Sequence, residues 1–317
     1  MADKIAFVAW KITKRSKVLA EYLQADLITY RTHYSNPILR IIHYKLLGIL
    51  TFGKLIRKRY KIIYVQIPPI QEAITVFLFS KIFLTKVVFD THSGIFFPNT
   101  FLQRIYLRLY CWMARHIKLN LVHNQSLFKH KCLLNSPTKI LEDKLPYQPA
   151  PQTDNKSFQI AVICSWSKDE PISEIIDAIK MLPEYNFYLT GNSKKQVNKL
   201  PSNLKLTGYL SDKDYDDLLK KVDIIIVMTK RPDTVLCGAY EAVSLCKPMI
   251  ISDTDTLHTH FYKGVVFTQN NADSIREAIK TTTLNIKRLQ QEISELRKEK
   301  ELNWQKQFAV IQDILKK

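Results

Sequence analysis

Short apolar runs that alternate with longer helical stretches are the feature that most restricts the fold of this chain. Near-continuous runs rich in Val and Ile are typical of parallel strands buried on both faces. Their regular alternation with helical segments predicts βαβ units. The predicted strands are "IAFVAW" (5–10), "IIYVQI" (62–67), "KVVFD" (86–90), "IKLNLV" (117–122), "QIAVICSW" (159–166), "NFYLTG" (186–191), "LKLTGYL" (204–210), "DIIIVMT" (223–229), "KPMIISD" (247–253) and "GVVFT" (264–268).

Length and local composition predict two domains. A chain of 317 residues is longer than one core usually serves, and "PYQPAPQTDNKS" (146–157) has the proline-rich, polar composition of a linker. We therefore predict two doubly wound α/β domains, 1–150 and 151–317, that face each other across a cleft. The charged tail from Asn271 onward predicts a long C-terminal helix.

The chain is strongly basic, and the charge is uneven. The net charge is +18; the first 150 residues hold 23 Lys and Arg against 7 Asp and Glu, and the remainder holds 24 against 22. Such asymmetry indicates an anionic partner for the first half, either nucleic acid or a membrane surface.

The rest of the composition indicates a cytoplasmic protein. No signal peptide is recognisable after "MADK", and no uncharged apolar run approaches about 18 residues. The five cysteines have no paired or metal-ligand spacing, so we expect them to be reduced.

The stretch "KRPDTVLCGAYEAVSLCKPMIISD" (230–253) combines two acids with a glycine in a chain that has only 7 glycines. Gly238 begins a predicted helix, whose N–H groups and dipole favour an anion such as a diphosphate. Glu241 is expected in the first turn of that helix, where it accepts hydrogen bonds from ribose hydroxyls. Asp233 is expected to bind sugar hydroxyls. The alternative is that Glu241 merely favours a helix N-terminus.

This stretch resembles the donor-binding signature of GT-B glycosyltransferases, especially those of retaining family 4. In that signature two glutamates are separated by seven residues; here Asp233 replaces the first, and Cys246 stands where glycine is usual. The segments "FYLTGN" (187–192), "LKLTGYLSDKDYDDLLKKVDIIIV" (204–227) and "ICSWSKDEPISEIIDAI" (163–179) match the preceding parts of the family's donor domain. The resemblance covers 158–280 well and the first half only in outline.

The resemblance and the strand-end rule together give the predicted donor site. Ligands of open parallel sheets bind beyond the carboxyl ends of the strands. The family's arginine–lysine pair for the diphosphate is missing; Lys168 remains, and Arg231 is the candidate for the second charge. The predicted donor-binding residues are Ser165, Trp166, Lys168, Asn192, Tyr209, Leu210, Thr229, Arg231, Gly238, Ala239 and Glu241.

"KVVFDTHSG" (86–94) places Asp90 and His92 at a strand end. By resemblance, His92 matches the histidine that lies beside the transferred sugar, and we predict His92, Asp90 and Asp233 as catalytic residues. The alternative is a structural Asp–His pair that caps the next helix. Lys11 and Arg15, after the first strand, are candidates for acceptor contacts; the alternative is two solvated charges.

Two stretches of the first half, 38–61 and 100–118, mix aliphatic and aromatic residues with Lys and Arg and have nearly no acids. That pattern is typical of helices that lie on anionic membranes, and it includes Arg57, Lys58 and Arg59. The alternative is a pair of core helices with solvated basic faces.

The main hypothesis is a glycosyltransferase, peripheral on the inner face of the cell membrane, that uses a nucleotide sugar and a lipid-linked or polysaccharide acceptor. We expect no cofactor and no metal, because the Asp253–Thr–Asp255 spacing follows the wrong strand for a cation site. The alternatives are a sugar-nucleotide epimerase of the same fold, a nucleic-acid-binding protein and a non-catalytic scaffold. No nucleic-acid partner is expected, because no nucleic-acid-binding motif is recognisable.

Overall fold

The computed structural model describes residues 4–30, 37–150, 157–192 and 200–317. It divides the chain into two compact units. The first unit comprises Met1–Lys144 together with Trp304–Lys317, and the second comprises Leu145–Asn303.

The first unit contains a six-stranded sheet in which every strand pair is parallel. The order is β2-β1-β3-β4-β5-β6, so the direction of winding reverses between β1 and β3. Its central strand β3 is buried along its whole length. The strands are β1 (Ile5–Val8), β2 (Asp26–Ile28), β3 (Ile62–Ile67), β4 (Lys86–Thr91), β5 (Leu119–Val122) and β6 (Thr138–Ile140).

The helices of the first unit begin where the sequence supplies polar caps. Thr13 and Thr100 each accept a hydrogen bond from the third helical N–H group and form a capping box. The helices are α1 (Lys14–Tyr22), α2 (Pro37–Lys58), α3 (Ile70–Phe83), α4 (Phe101–Ala114) and α5 (Gln125–Phe128), with 3-10 turns at Ser93–Ile95 and Lys131–Leu133.

The second unit contains a parallel six-stranded sheet in the order β12-β11-β10-β7-β8-β9. In chain order this is the dinucleotide-binding arrangement, with the reversal between β7 and β10. The strands are β7 (Gln159–Val162), β8 (Asn186–Thr190), β9 (Leu204–Gly208), β10 (Ile224–Val227), β11 (Met249–Ser252) and β12 (Val265–Thr268). The helices are α6 (Ile172–Lys180), α7 (Asp212–Lys221), α8 (Cys237–Leu245), α9 (Asp255–His260), α10 (Ala272–Leu284) and α11 (Ile286–Lys316).

The predicted α/β class, with two doubly wound domains and a long C-terminal helix, is confirmed. The units differ from the predicted ranges 1–150 and 151–317 at the C-terminus, because the last part of α11 belongs to the first unit. Four buried residues on one face of α11, Trp304, Phe308, Ile311 and Leu315, share a hydrophobic core with β1 and β3 of that unit. Of the predicted linker, 151–156 lie outside the described residues.

The cysteine prediction was wrong for one pair. Cys111 in α4 and Cys132 in the second 3-10 turn form a disulfide, although 21 residues separate them in sequence. The fold brings their Cα atoms to 5.3 Å, which is within the range that a disulfide needs. Cys164 and Cys246 are buried free thiols, and Cys237 is an exposed one. Within the described ranges, no helix is both long enough and apolar enough to cross a membrane.

The C-terminal turns of α11 should be essential to the stability of the first unit. Phe308 is 3% exposed and lies 4.9 Å from Trp304 and 5.1 Å from Tyr22, measured between ring centroids. We expect Phe308→Ala to lower the free energy of unfolding by roughly 3–5 kcal/mol, because it removes a buried aromatic ring and leaves a cavity. Urea denaturation measures this.

The matched control is Val310→Ala on the same helix, since Val310 is 49% exposed. It should change the free energy of unfolding by no more than about 0.5 kcal/mol. Equal losses in the two variants would show that these turns do not pack as described.

Candidate functional site

Helix α8 starts at the carboxyl ends of β7 and β10, the strands at which the second sheet reverses its winding. Gly238 is buried there, and a Cβ atom at this position would lie 3.1 Å from side-chain carbons of both Ile163 and Val227. Glycine suits this position because the helix start packs directly against the strand ends. The sequence predicts that Gly238 allows close approach of a diphosphate, and packing against the strand ends is a second reason for glycine at this position.

Neither the N-cap side chain nor an acidic residue of the first turn competes with an anion at the start of α8. Its N-cap residue, Leu236, makes no side-chain hydrogen bond to the first N–H groups. The first turn holds no acidic residue that would compete with an anion for those groups and for the helix dipole. Ala239, also predicted to bind the donor, is fully buried in this first turn.

Glu241 is the fifth residue of α8, so it lies at the start of the second turn and not in the first turn as predicted. Its position removes the alternative that it merely favours the helix N-terminus. The side chain is buried, and its Oε2 atom accepts a hydrogen bond of 2.6 Å from the Tyr215 hydroxyl. Burial, together with the Glu241 carboxylate, raises the pKa of Tyr215 well above its ordinary value.

Tyr215 was missed by the sequence analysis. It lies in α7, where the neighbouring Asp216 accepts a 2.5 Å hydrogen bond from the Tyr147 hydroxyl. Two tyrosines thus hold two carboxylates beside α8. The sequence holds a sign of its role in "DKDYDD", where one tyrosine stands among five charged residues. Such a tyrosine indicates that part of this helix face is not exposed to solvent.

The loop after β7 is arranged differently from the prediction. Glu170 accepts hydrogen bonds from the backbone N–H groups of Ser165 and Ser167 and from the Ser165 hydroxyl. The donors of Ser165 that were predicted to meet the nucleotide sugar are therefore occupied by a carboxylate of the same loop. Trp166 has a positive φ of 59° and donates its indole N–H to the Thr190 carbonyl. Lys168 is exposed.

Two predicted donor residues after β10 meet that same loop. Asp169 accepts a hydrogen bond from the Thr229 hydroxyl at 3.2 Å. It also forms an ion pair with Arg231, again at 3.2 Å. Arg231 remains 61% exposed, so its guanidinium faces solvent as well as Asp169. Asp233 is half-buried in the segment between β10 and α8.

The remaining predicted donor residues lie at the ends of β8 and β9. The Asn192 side chain accepts a hydrogen bond from the Tyr209 backbone N–H, while the Tyr209 ring is 83% exposed. Leu210 instead lines a cavity of about 710 Å³ with residues of β9 and α7. The predicted donor residues thus fall into three groups. Thr229 and Arg231 lie with the loop after β7, and Gly238, Ala239 and Glu241 lie on α8. Asn192 and Tyr209 lie together at the ends of β8 and β9.

The first unit has an ion cluster at the carboxyl edge of its sheet. The Arg15 guanidinium donates to both oxygens of Asp90, at 3.0 and 3.1 Å through Nε, and to Asp143 at 2.5 Å through Nη1. Burial disfavours the charge of all three groups, but their mutual attraction holds the pKa of Arg15 above its ordinary value and the pKa of both carboxyls below theirs. The Arg15 side chain is 3% exposed. The predictions that Arg15 contacts the acceptor or the membrane, or is a solvated charge, were therefore wrong.

Two histidines lie beside this cluster. His92 Nε2 is 3.6 Å from an Asp90 oxygen, His123 Nδ1 is 3.3 Å from an Asp143 oxygen, and the two rings are 4.6 Å apart between centroids. Burial and the positive charge of Arg15 lower the pKa of His123 to about 4, so this ring is neutral at pH 7. His92 makes no side-chain capping hydrogen bond to the following 3-10 turn, which excludes the capping alternative. Asp90 is fully buried, so it orients its neighbours and does not itself meet a substrate.

The other predicted basic residues are on the surface. Lys11 is exposed after β1, and Arg57 and Arg59 are exposed at the end of α2. Lys58 pairs with Asp26 at 2.9 Å. In the described part of the chain, no three His, Cys, Asp or Glu side chains are grouped as a metal site would need. Asp253 is hydrogen-bonded to His258 and Gln269.

Comparison with known proteins agrees with this geometry. Residues 145–300 match the family model described as glycosyl transferases group 1. The resemblance to GT-B glycosyltransferases is confirmed. This match contains α8 and all of the predicted donor-binding residues. No curated protein matches the sequence.

Solved structures with the same fold align over nearly the whole chain. HepE from Anabaena, solved in complex with UDP and glucose, is 12% identical with a TM-score of 0.72, covering 98% of this chain and 99% of its own. Sucrose-phosphate synthase from Thermosynechococcus elongatus is 10% identical with a TM-score of 0.73, covering 99% and 98%. A putative UDP-N-acetylglucosamine 2-epimerase from Listeria monocytogenes is 11% identical with a TM-score of 0.61, covering 92% and 91%. Such identities show the GT-B fold alone.

Arg15 should be required for stability in a pH-dependent way. Replacing it by Met leaves Asp90 and Asp143 buried without their cation, so we expect the free energy of unfolding to fall by roughly 3–5 kcal/mol at pH 7. In the wild type both carboxyls have a lowered pKa, so their contribution is present above about pH 4 and is lost only at lower pH. In the variant burial raises both pKa values, so stability falls as the pH rises.

The difference between variant and wild type should therefore be largest at pH 7 and should shrink towards about pH 4. Urea denaturation at several pH values measures it. Lys17→Met is the control, since Lys17 is exposed on the same helix and its loss should cost no more than about 0.5 kcal/mol. A difference that does not vary with pH would contradict the ionic origin of the effect.

Proposed function

We propose that this protein is a glycosyltransferase that moves a hexosyl group from a nucleoside-diphosphate sugar to a lipid-linked or polysaccharide glycan at the cytoplasmic membrane face. One observation carries the proposal. Within the residues that match the group 1 glycosyltransferase model, α8 starts at the reversal point of a dinucleotide-type sheet and carries a buried carboxylate one turn from its start. That arrangement suits a diphosphate at the helix start and a ribose at Glu241.

Three features support the donor proposal. Gly238 places the start of α8 against the strand ends, Lys168 and Arg231 carry positive charge in the loops that follow β7 and β10, and Tyr215 donates a hydrogen bond to one Glu241 oxygen. The HepE structure contains UDP, so uridine is the first base to test. Because basic groups and a helix N-terminus neutralise a diphosphate, we propose that turnover needs no divalent metal or other cofactor.

For catalysis, we propose that His92 contacts the reacting sugar or the acceptor. His92 Nε2 faces Asp90 at 3.6 Å, Asp90 is itself fixed by Arg15, and the His92 side chain is 22% exposed. With one ring nitrogen turned to a carboxylate, the other can hydrogen-bond a substrate hydroxyl at the carboxyl edge of the sheet. Asp233 is proposed as a second residue that binds the sugar. Retention of anomeric configuration is what the family resemblance implies.

For location, we propose peripheral binding to an anionic membrane through α2, α3 and α4. Large apolar side chains are exposed along these helices, including Ile49 at 70%, Ile82 at 64% and Phe101 at 79%. Basic side chains lie among them, as in helices that rest on anionic lipid. Disulfides are rare in reducing compartments, so the Cys111–Cys132 disulfide does not support a location on the cytoplasmic side.

An epimerase is the second candidate, because a putative epimerase shares the fold at a TM-score of 0.61. The two activities differ in their products. An epimerase converts the nucleotide sugar without an acceptor, whereas a transferase releases the nucleotide only as the sugar leaves. Incubation with UDP-sugars and chromatography of the products separates the two.

The central test is a thermal-shift screen with UDP, GDP, ADP and CMP, followed by Glu241→Gln. A bound nucleotide stabilises the folded state, so one of the diphosphates should raise the melting temperature. Because Glu241→Gln removes a charged acceptor, donor affinity should fall about tenfold, or roughly 1.4 kcal/mol. The control Glu184→Gln changes the same charge at the amino end of β8 and should leave affinity unchanged.

A double-mutant cycle with deoxy donors shows whether Glu241 meets the ribose. The 2′-deoxy or 3′-deoxy donor should bind the wild type poorly but should bind Glu241→Ala with little further loss, since the carboxylate partner is already gone. Additive losses would place Glu241 away from the ribose.

His92→Ala should lower turnover much more than donor affinity. If His92 assists proton movement or hydrogen-bonds the reacting sugar, turnover falls by roughly 10²-fold or more while the donor Kd stays within about twofold. Steady-state kinetics and donor titration measure the two quantities. The control is His116→Ala, an exposed histidine of the same unit. Near-normal turnover in His92→Ala would assign His92 a structural role.

Replacing Arg57, Lys58 and Arg59 together by Ala should weaken binding to anionic vesicles. Each basic residue near such a surface contributes about 1 kcal/mol, and the Lys58–Asp26 ion pair reduces the share of Lys58. We expect a roughly tenfold to hundredfold loss that is larger at low salt. A triple variant of Lys205, Lys213 and Lys220, exposed in the second unit, makes the same charge change. If both triple variants bind alike, the surface is wrongly placed.

A further inference from the structure

Between α2 and α3 the first unit has an apolar groove of about 620 Å³, which we call the α2/α3 groove. A volume of this size is within the range of small-molecule sites. Helix α2 contributes Ile41, Gly48 and Phe52, helix α3 contributes Ile74 and Leu78, and Tyr106 of α4 lies at its side.

A glycine in the middle of α2 helps to shape this groove. Gly48 lines it, and a Cβ atom at this position would lie 3.1 Å from the Thr75 hydroxyl of α3. A side chain there would occupy the space between the two helices. Glycine inside a helix lowers stability relative to alanine. Its presence where α2 faces Thr75 of α3 indicates that the two helices need to approach closely there.

The surface around the groove has a single sign of charge. Helices α2, α3 and α4 contain one acidic residue between them, Glu72, and it is fully buried. Lys45 lines the groove itself, and Lys54, Arg57 and Arg104 are exposed on the same helices. An apolar channel with a basic rim is complementary to a hydrocarbon chain that carries an anionic head group.

The groove continues towards the carboxyl edge of the sheet. A second pocket of about 180 Å³ is lined by Trp10, Lys11, Tyr44, Pro68 and Pro69, which follow β1 and β3 or lie in α2. Tyr44 lines both cavities. The winding of the sheet reverses between β1 and β3, which is where a ligand of such a sheet is expected. A lipid that only anchors the protein to a membrane has no reason to reach this edge of the sheet. An acceptor must reach it, because the proposed reaction takes place there.

We propose that the α2/α3 groove binds the hydrocarbon chain of a lipid-linked glycan acceptor, in which a phosphate joins the glycan to a single chain, and that Lys11 binds this phosphate beyond Tyr44. This inference rests on the proposed function and names the acceptor class for it. Chain length should then set affinity. Each further methylene that enters the groove should tighten binding about three- to fourfold until the groove is full.

The test uses the full-length protein without vesicles and a diazirine-bearing farnesyl phosphate, kept below its critical micelle concentration. After illumination, peptide mapping should place the label within 41–52 and 71–78. Unlabelled farnesyl phosphate and dodecyl phosphate should compete, and inorganic phosphate should not. Label spread evenly over the exposed faces of α2, α3 and α4 would overturn the proposal in favour of non-specific adsorption.

Two substitutions on α3 make a matched pair. Leu78 lines the groove and is 54% exposed, so Leu78→Trp should cover the groove without disturbing the core and reduce labelling at least about tenfold. Ile82, one turn further along and 64% exposed, does not line the groove, so Ile82→Trp should keep labelling within about twofold. Equal losses in both variants would overturn the proposal, and circular dichroism confirms that both are folded.

The head-group position has its own test. Wild type should prefer farnesyl phosphate over farnesol by at least about fivefold, and Lys11→Ala should abolish this preference. Lys129→Ala, an exposed lysine that follows α5 and lies outside the basic rim, should preserve it. If Lys129→Ala removes the preference as well, the phosphate is not held at Lys11.

Nucleotide binding, measured on the same preparation, separates this inference from the proposed function. Glu241-dependent nucleotide binding without groove labelling refutes the groove alone. Groove labelling without any nucleotide binding refutes the acceptor assignment together with the glycosyltransferase proposal.

Discussion

Both sheets are wholly parallel, and this constraint determines where the chemistry of the protein lies. Helices or loops must connect each strand to the next, so the carboxyl ends of all strands emerge at one edge of each sheet. Buried polar groups in such a structure need partners, and at this edge the chain can supply them. In the first unit Arg15 satisfies Asp90 and Asp143, which come from strand ends far apart in sequence. In the second unit Tyr215 and Glu241 do the same from two helices.

Ten of the twelve strands in the described part of the chain were predicted, including the partly buried β8, β9 and β12. β3, β10 and β11 are buried at every position and appear as apolar runs in which Gln66 and Ser252 are the polar residues. The edge strands β2 and β6 were missed, because each has three residues, is paired on one side and includes a charged residue. The face of α11 around Trp304 and Phe308 is apolar in sequence, but no local pattern states which sheet it covers.

The candidate site was predictable to the level of a family signature and not to the level of contacts. Gly238 and Glu241 were found because their spacing is local. Arg15 was assigned to the surface, because a sequence does not distinguish a solvated arginine from one paired with Asp143, which is 128 residues away. The composition held a signal: the first 150 residues have 7 acids among 23 basic residues. One of those acids, Asp90, directly follows an apolar run, where a carboxylate needs a cation. The Cys111–Cys132 pair was missed for the same reason of distance.

The first half has a basic surface partly because several of its few acidic side chains are buried. Asp90 and Asp143 are held at the carboxyl edge by Arg15. Glu72 accepts the Trp10 backbone N–H at 2.6 Å, and burial raises its pKa well above the ordinary value, so it adds little negative charge. With these acids withdrawn from the surface, the exposed charged side chains of α2, α3 and α4 are all basic among the residues that the structure describes. The first unit thus holds two of its carboxylates at the sheet edge that we propose orients the sugar, and it leaves positive charge on the helix faces that we propose meet a lipid. A fold that distributed its acids evenly would weaken both proposed functions, because the edge would lose its fixed carboxylates and the helices would repel an anionic head group.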